Sequence, residues 1–392
     1  MKKTLVLVGS GVVSIPPKFG GAVELIIYEI SKSMPKDKFF AYVLDRKESW
    51  NKQREIIDGA LYIRYRVPKF SNVFLLRLTE FIFGMRAIKK IRELNSKKKV
   101  NVVHTHTVFS SLPLAIFKFL LPENCKLVYT SHNPAWIVPK KDLDILNRII
   151  KRIESFIIRK SDYVTTVTDT MKENIIKETK IPSKKIKRIY NFVDRSKFSG
   201  HGKEWKERKG IEGPIILFVS KLIPNKGVKY LIRSASLVKK EIPNVKYVVV
   251  GPISFEYENE NPWIKLVKEL GLEGTVVFTG ALPEDELPLA YASADVFCFP
   301  TLRESFGIVL IEAMASGLPF ITTNIPVVKE VVENNAIFVE PKNHKKIAKE
   351  LIKLLKDNRK LKFMSKKSLS RSRYFDKKKI MDEYKKFYTA IN

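Results

Sequence analysis

Between Asp295 and Pro319 the chain reads DVFCFPTLRESFGIVLIEAMASGLP, and its middle is apolar on every side. Ile308, Val309, Leu310, Ile311, Ala313, Met314 and Ala315 leave a helix no face for water, so that helix has to be buried. The spacing predicts a strand over 295–299, a loop at Pro300, and a helix from about Ser305 to the stop at Gly317-Leu318-Pro319. A buried strand running into a buried helix requires covering layers on both, which is α/β construction.

Two carboxylates mark this stretch. Glu312 falls in the middle of the buried helix, where a carboxylate needs a hydrogen-bonding partner. Glu304 stands at the helix mouth, roughly 12 Å away along the axis. Between them the unpaired amides of Ser305, Phe306, Gly307 and Ile308 would carry partial positive charge and seat a phosphate. Gly307 would let a ligand close to the backbone. Read from the residues alone, Glu304 is either a ligand contact or a charge placed for the helix dipole. Glu312 is either a ligand contact or one half of a buried ion pair.

The chain has 392 residues, room for two domains each with its own core. Cys125 and Cys298 are far apart and read as core residues of a reducing compartment. The opening Met1-Lys2-Lys3-Thr4-Leu5-Val6-Leu7-Val8 resembles the start of a signal peptide, but its short apolar run and Pro16-Pro17 favour a first core strand. No run reaches the ~20 apolar residues of a membrane span. The expected location is the cytoplasm, with the inner face of the membrane as an option. The net charge of +31 is compatible with nucleic acid, an anionic membrane or anionic substrates, and equally with a Lys-rich background.

Along the chain, strands are expected over 4–9, 39–44, 61–67, 100–106, 126–132, 162–168 and 186–189 in a first domain, and over 215–220, 247–250, 276–278, 295–299, 320–323 and 336–339 in a second. Residues 195–213 read as a polar linker. Helices are expected over 22–34, 74–94, 143–160, 169–179, 228–241, 263–270 and 345–355, with a basic helical tail over 359–392. The loop after the first strand ends in Gly20-Gly21, which permits a tight turn. In the helix over 74–94, Phe81, Ile82, Met85, Ile88 and Ile91 interleave with Arg77, Arg86, Lys89, Lys90 and Arg92. Such a helix either lies on an anionic membrane or buries its apolar side in the core. His106 and His132 close two strands at their carboxyl ends, where α/β ligands gather; each is a ligand contact or a structural histidine. His104 shares a strand face with His106. Lys221 and Lys226 lie on one loop after the 215–220 strand, within reach of a diphosphate or simply on the surface. Asp142-Leu143-Asp144 has metal-like spacing, but no metal site is expected.

The stretch ESFGIVLIE with AMASGLP resembles the donor-site motif of retaining GT-B glycosyltransferases, in particular family four, the group 1 glycosyl transferases. The segments PKFGGAVE, VNVVHTH, LVYTSHN, NFVD and KLIPNKG resemble further motifs of that family, in the same order. The resemblance covers almost the whole chain. It implies two Rossmann-like domains with parallel sheets facing across a cleft. The boundaries expected are 1–195 for the acceptor side and 196–371 for the nucleotide-sugar side, with helix 372–392 packing back on the first domain. It also implies that Glu304 and the amides of Ser305, Phe306, Gly307 and Ile308 meet the donor sugar, that Glu312 binds the nucleotide ribose, and that His132 touches the sugar beside the reacting centre. Gly20, Gly21 and His106 belong to the first-domain side of the site, and Leu282 follows the strand that meets the nucleobase. Lys221 and Lys226 keep the spacing of the family's diphosphate-binding Arg and Lys. Lys221 lacks the arginine's fork, and Phe192 replaces the family's usual Gly.

The function implied is transfer of a hexose-type sugar from a UDP- or GDP-linked donor to a glycan, lipid-linked or small-alcohol acceptor, with retention and without metal or other cofactor. His132 and Glu304 orient the sugar. Expected partners are the nucleotide sugar and the acceptor, with an anionic membrane as an option and no nucleic acid. Three other readings stand beside it. A nucleotide-sugar 2-epimerase of the same fold needs no acceptor. A dinucleotide-dependent oxidoreductase wants Gly-x-Gly-x-x-Gly, which Gly9-Ser10-Gly11-Val12-Val13-Ser14 half fits. A basic nucleic-acid binder would account for the charge, though no binding motif appears.

Overall fold

The computed structural model describes residues 2–17, 21–68, 70, 72–138, 143–198, 202, 204–252 and 261–391, and of residues 73 and 74 the backbone alone. The chain forms two compact units, Met1–Asn191 with Lys378–Asn392, and Phe192–Lys377.

The first unit is built on strands β1 (Lys3–Val8), β2 (Phe39–Arg46), β3 (Arg54–Ile57), β4 (Ala60–Tyr65), β5 (Val102–Thr105), β6 (Lys126–Ser131), β7 (Tyr163–Thr166) and β8 (Ile186–Arg188). Their order across the sheet is β3-β4-β2-β1-β5-β6-β7-β8. Every pairing is parallel except β3 with β4. Strands covered on both faces read as unbroken apolar runs, and Leu5, Val6, Leu7 and Val8 are fully buried. The order reverses between β1 and β5, the kind of crevice in which α/β sheets bind ligands. β3 is absent from the sequence reading: Asp58 and Gly59 both take positive φ and close a two-residue hairpin between β3 and β4.

Helix Val73–Lys97 buries part of the expected stripe, Ile88 and Ile91, but not the whole of it. Phe83, Ala87, Ile88 and Ile91 enter the core, whereas Met85 is exposed. The reason is Gly84, where a Cβ would lie 2.3 Å from the carbonyl oxygen of Ser110; helix Val108–Ile116 therefore packs backbone-close on that side. The final helix, Lys377–Ala390, is fastened within this unit. Lys3 Nζ donates to the carbonyls of Thr389 (2.8 Å) and Ile391 (2.5 Å), and the Tyr388 hydroxyl lies 2.5 Å from His104 Nδ1.

The second unit holds β9 (Ile215–Val219), β10 (Lys246–Val250), β11 (Val276–Gly280), β12 (Val296–Phe299), β13 (Phe320–Thr323) and β14 (Ile337–Val339). All are parallel, in the order β11-β10-β9-β12-β13-β14. This is the doubly wound order of a Rossmann sheet, with its reversal between β9 and β12. The segment read as a linker is not featureless coil among its described residues. It carries helices Arg195–Phe198 and Glu204–Arg208, and it buries Phe198 and Trp205. Phe198 packs edge-on to Tyr291 at 5.5 Å. Polar composition hides these two aromatic anchors.

Candidate active site

The second unit brings its functional groups to the carboxyl ends of β9 and β12, the two strands that flank its switch point. The loop after β9 closes in a 3-10 turn, Pro224–Lys226, stopped by Gly227 at φ 78°. A Cβ on Gly227 would stand 1.9 Å from the Pro300 carbonyl oxygen, so only glycine lets this loop meet the loop after β12. The contact is sealed by Leu302 N–H donating to Asn225 O (2.8 Å) and by Thr301 Oγ1 donating to the same oxygen (3.3 Å). As a result Lys226 Nζ donates to Glu304 Oε2 at 2.6 Å, with both side chains mostly buried. Lys221 leaves the end of β9 exposed to solvent.

The helix at the centre of the sequence argument is shorter than expected. It runs Ile308–Ala315, and Gly307, left-handed at φ 88°, is its N-cap. Ser305 and Phe306 therefore precede the helix, and its free first amides are those of Ile308 and Val309. Ser305 N–H turns back to Glu304 Oε1 (3.2 Å), and Phe306 is buried against Phe375. The 12 Å axial separation fails with the longer helix, because residues 304–307 are not helical. The displacement follows from Gly307: its backbone adopts a conformation that ends, rather than extends, a right-handed turn. Glu312, one turn inside the helix, accepts from the Tyr291 hydroxyl at 2.9 Å. Burial pushes its carboxyl up to about 7, against the pull of the Tyr291 hydrogen bond. Leu282 is half-buried beyond β11, a strand separated from β9 by β10.

In the first unit Gly21, at φ 102°, caps helix Ala22–Ser33, while Gly20 lies outside the described residues. Glu24 in that helix accepts from Ser10 Oγ (2.7 Å), which itself receives the N–H groups of Val12 and Val13. The same loop is held by Asp45, fully buried, which accepts from Ile15 N–H (3.0 Å) and from Arg64 Nε (3.0 Å). His104 belongs to the core, with Nε2 2.6 Å from Thr130 Oγ1. His106 and His132 stand together: His106 Nδ1 lies 3.4 Å from His132 Nε2, and their rings stack. Burial lowers both, His132 to about 4, so both are neutral at pH 7. The buried Nε2 of His106 has no hydrogen-bond partner among the described residues.

Sequence reasoning passes over Glu154. It lies fully buried in helix Ile145–Lys160 and accepts from Tyr129 OH (2.9 Å), Ser131 Oγ (2.7 Å) and Asn133 Nδ2 (2.9 Å). An acidic residue at a buried position of an amphipathic helix is the available signal. Asp144 caps that helix through Asn147 N–H (2.7 Å), and Asp142 is outside the described residues. Among the described residues no three His, Cys, Asp or Glu side chains are grouped as a metal site requires.

Two doubly wound parallel sheets, one with a lysine–glutamate pair at its switch point beside a buried helix, are the GT-B architecture of glycosyltransferases. The comparisons with known proteins agree. The model for glycosyl transferases group 1 matches residues 202–371, and that for glycosyltransferase family 4 matches residues 19–197. An uncharacterized glycosyltransferase of Methanocaldococcus jannaschii is 33% identical over 305 residues, 75% of each chain. The N-acetyl-alpha-D-glucosaminyl L-malate synthase of Bacillus anthracis is 28% identical over 79% of this chain and 80% of its own. Among solved structures, Anabaena HepE in complex with UDP and glucose superposes with a TM-score of 0.78 at 18% identity, over 99% of this chain and 100% of that one. The chain belongs to the group 1, family 4 glycosyltransferases.

Proposed function

We propose that this glycosyltransferase moves a hexose-type sugar from a nucleoside-diphosphate donor to a glycan, lipid-linked or small-alcohol acceptor, with retention and without metal. The observation that carries the reading is the Lys226–Glu304 pair at the β9/β12 switch point, beside the free amides of Ile308 and Val309. Lys221, Lys226 and those amides supply the positive potential that a departing diphosphate needs. In the reaction the bond from C1 of the sugar to the phosphate oxygen breaks and a bond from C1 to the acceptor oxygen forms on the same face. The acceptor's proton passes to the departing phosphate. Glu304 and His132 orient the sugar, and Glu312 takes the ribose hydroxyls. Within the first unit Gly20, Gly21 and His106 bind substrate, and Leu282 takes the nucleobase.

The relatives support this range of substrates. HepE is described with UDP and with UDP-glucose. The matched curated proteins include an O-antigen chain mannosyltransferase of Salmonella typhimurium, 28% identical over 57% of this chain and 63% of its own. The test is incubation with UDP-glucose, UDP-N-acetylglucosamine and GDP-mannose, with and without EDTA, following nucleoside diphosphate release. Release that survives EDTA supports the reading. A changed sugar nucleotide with no diphosphate released, from donor alone, identifies the 2-epimerase instead.

We further propose that the first unit works against an anionic membrane in the cytoplasm. No helix among the described residues is long and apolar enough to cross one. The surface for it is on helix Ile145–Lys160, whose apolar side chains are the more exposed; helix Val73–Lys97 buries Phe83, Ala87, Ile88 and Ile91 and leaves only Leu75, Leu78 and Met85 exposed among its described apolar side chains. Ile145 is 75% exposed and Leu146 62%, and both lie beside exposed Ile149, Arg148 and Arg152. Apolar and basic side chains together on one exposed helix suit an anionic interface.

A further inference from the structure

His132 follows the last residue of β6, and both of its chain neighbours are tied to a single carboxylate. Ser131 Oγ donates to Glu154 Oε1, and Asn133 Nδ2 donates to Glu154 Oε2. Tyr129 OH, one pleat back on β6, donates to Oε1 as well. Asn133 is used twice, since its Oδ1 accepts from Ala135 N–H (2.9 Å) and starts the 3-10 turn Pro134–Ile137.

Three hydrogen bonds converge on Glu154, the buried Trp136 indole N–H also faces it, and the chemistry of the group fits so many donors. A carboxylate only accepts, and its two oxygens have lone pairs for all three bonds. A glutamine would offer one accepting oxygen and turn an N–H towards another N–H. The choice has a cost. Glu154 is fully buried and pairs with no cation among the described residues, and burial raises its pKa. Lys151, one turn away, is engaged with Glu178 at 2.7 Å. A buried anion without a cation is expensive, and a plain apolar residue would serve packing better.

We propose that Glu154 is a positioning residue for His132: by gripping the segment on both sides of the histidine, it sets the direction in which the imidazole is presented. The contact with His106 Nδ1 at 3.4 Å then fixes the ring's rotation, so that two restraints from different elements define one neutral imidazole. This inference rests on the reading above that His132 meets the donor sugar.

The hydrogen-bond polarity makes a specific test possible. In Glu154→Gln the amide nitrogen opposes Asn133 Nδ2 while the amide oxygen keeps Tyr129 and Ser131. In Asn133→Asp the cap to Ala135 survives but the donor to Glu154 is lost. In the double variant the glutamine N–H donates to the aspartate, so the bonds to Tyr129, Ser131 and position 133 are all present again, with the one between positions 154 and 133 reversed in direction. Each protein, with His132→Ala alongside, is assayed for diphosphate release from the sugar nucleotide the wild type turns over. UDP and GDP binding are measured by calorimetry, and the His132 imidazole resonances are followed by NMR across pH.

We expect each single variant to lose tenfold or more in kcat with nucleotide affinity within twofold of wild type, and the double variant to recover. The His132 resonances should move in both singles, its titration rising from the low wild-type value towards an ordinary histidine, and return in the double. Wild-type kcat in Glu154→Gln, with His132→Ala inactive, overturns the proposal. So does a folded double variant that stays as impaired as the singles. If His132→Ala is itself fully active, the reading of His132 as a sugar contact falls. The NMR arm then decides the positioning alone, and unmoved His132 resonances in Glu154→Gln refute it.

Discussion

The Lys226 ammonium lies 2.6 Å from the Glu304 carboxylate, across 78 residues of sequence. The two groups come from neighbouring loops at one switch point and orient each other; in the proposed function the first receives the donor's diphosphate and the second a sugar hydroxyl. The consequences of removing them differ. Lys226→Ala deletes a charge-assisted donor worth about 1.5–3 kcal/mol, or about ten- to a hundredfold in UDP or GDP affinity, and abolishes transfer. Glu304→Ala frees the ammonium, so nucleotide affinity holds or rises while transfer is lost. Calorimetry with both nucleotides and a transfer assay separate these outcomes. Equal loss of nucleotide affinity in the two variants would make Glu304 scaffolding.

Glu312 gives a pH signature. Its pKa of about 7 lies above the ordinary 4.5 because burial disfavours the anion. The folded protein therefore binds more protons than the unfolded chain between those values. Stability from this group is complete below about 4.5 and is lost as pH rises through 7. Glu312→Gln removes that slope, so its melting temperature gains on wild type between about pH 5 and pH 8. If Glu312 takes the ribose hydroxyls as proposed, the charged carboxylate is the stronger acceptor, so nucleotide affinity relative to Glu312→Gln rises over the same interval. A flat affinity ratio would detach Glu312 from the ribose.

Much of this site is legible because buried parallel strands announce themselves as apolar runs, as Leu5-Val6-Leu7-Val8 does. The runs that matter for the site end near His106, His132, Ser220 and Phe299, and ligand-binding loops follow such ends. The pairing of Lys226 with Glu304 is not legible, since no local pattern reports which loops meet across a sheet. The helix start is misplaced for a different reason. Gly307 reads as a point of ligand access, although a left-handed glycine also fixes where the helix begins. Gly84 and Ala87 mislead in a related way: small residues carry no hydrophobic signal, yet Gly84 marks where another helix comes closest. The β3–β4 hairpin does have a signal, Asp58-Gly59, and reading it finds the extra strand.

Gly227 tests whether the meeting of the two loops matters. Alanine there meets a positive φ, costing about 1–2 kcal/mol, and a Cβ placed 1.9 Å from the Pro300 oxygen. The loops must part. Gly227→Ala should lower Tm by several degrees and weaken UDP or GDP binding, because Lys226 is the adjacent residue. Gly271→Ala is the control: its φ is 61° and an added Cβ meets nothing within 4 Å. It should show the smaller strain cost with unchanged nucleotide affinity. Matching losses in both variants would mean that the loop contact is dispensable.

Helix Ile145–Lys160 makes the membrane proposal specific to one surface. Partial burial of Ile145, Leu146 and Ile149 in an interface gains a fraction of the ~1.5–3 kcal/mol each would give when fully buried, and each nearby Arg adds about 1 kcal/mol on an anionic leaflet. Substituting serine at all three apolar positions should therefore reduce flotation with phosphatidylglycerol vesicles by about tenfold or more. Added salt should weaken wild-type binding by screening the arginine contribution. Met85→Ser, on the exposed side of helix Val73–Lys97, should leave flotation unchanged. If the Met85 variant loses binding and the triple variant keeps it, the interface belongs to the other helix, and if neither wild type nor variant floats, the membrane is not a partner.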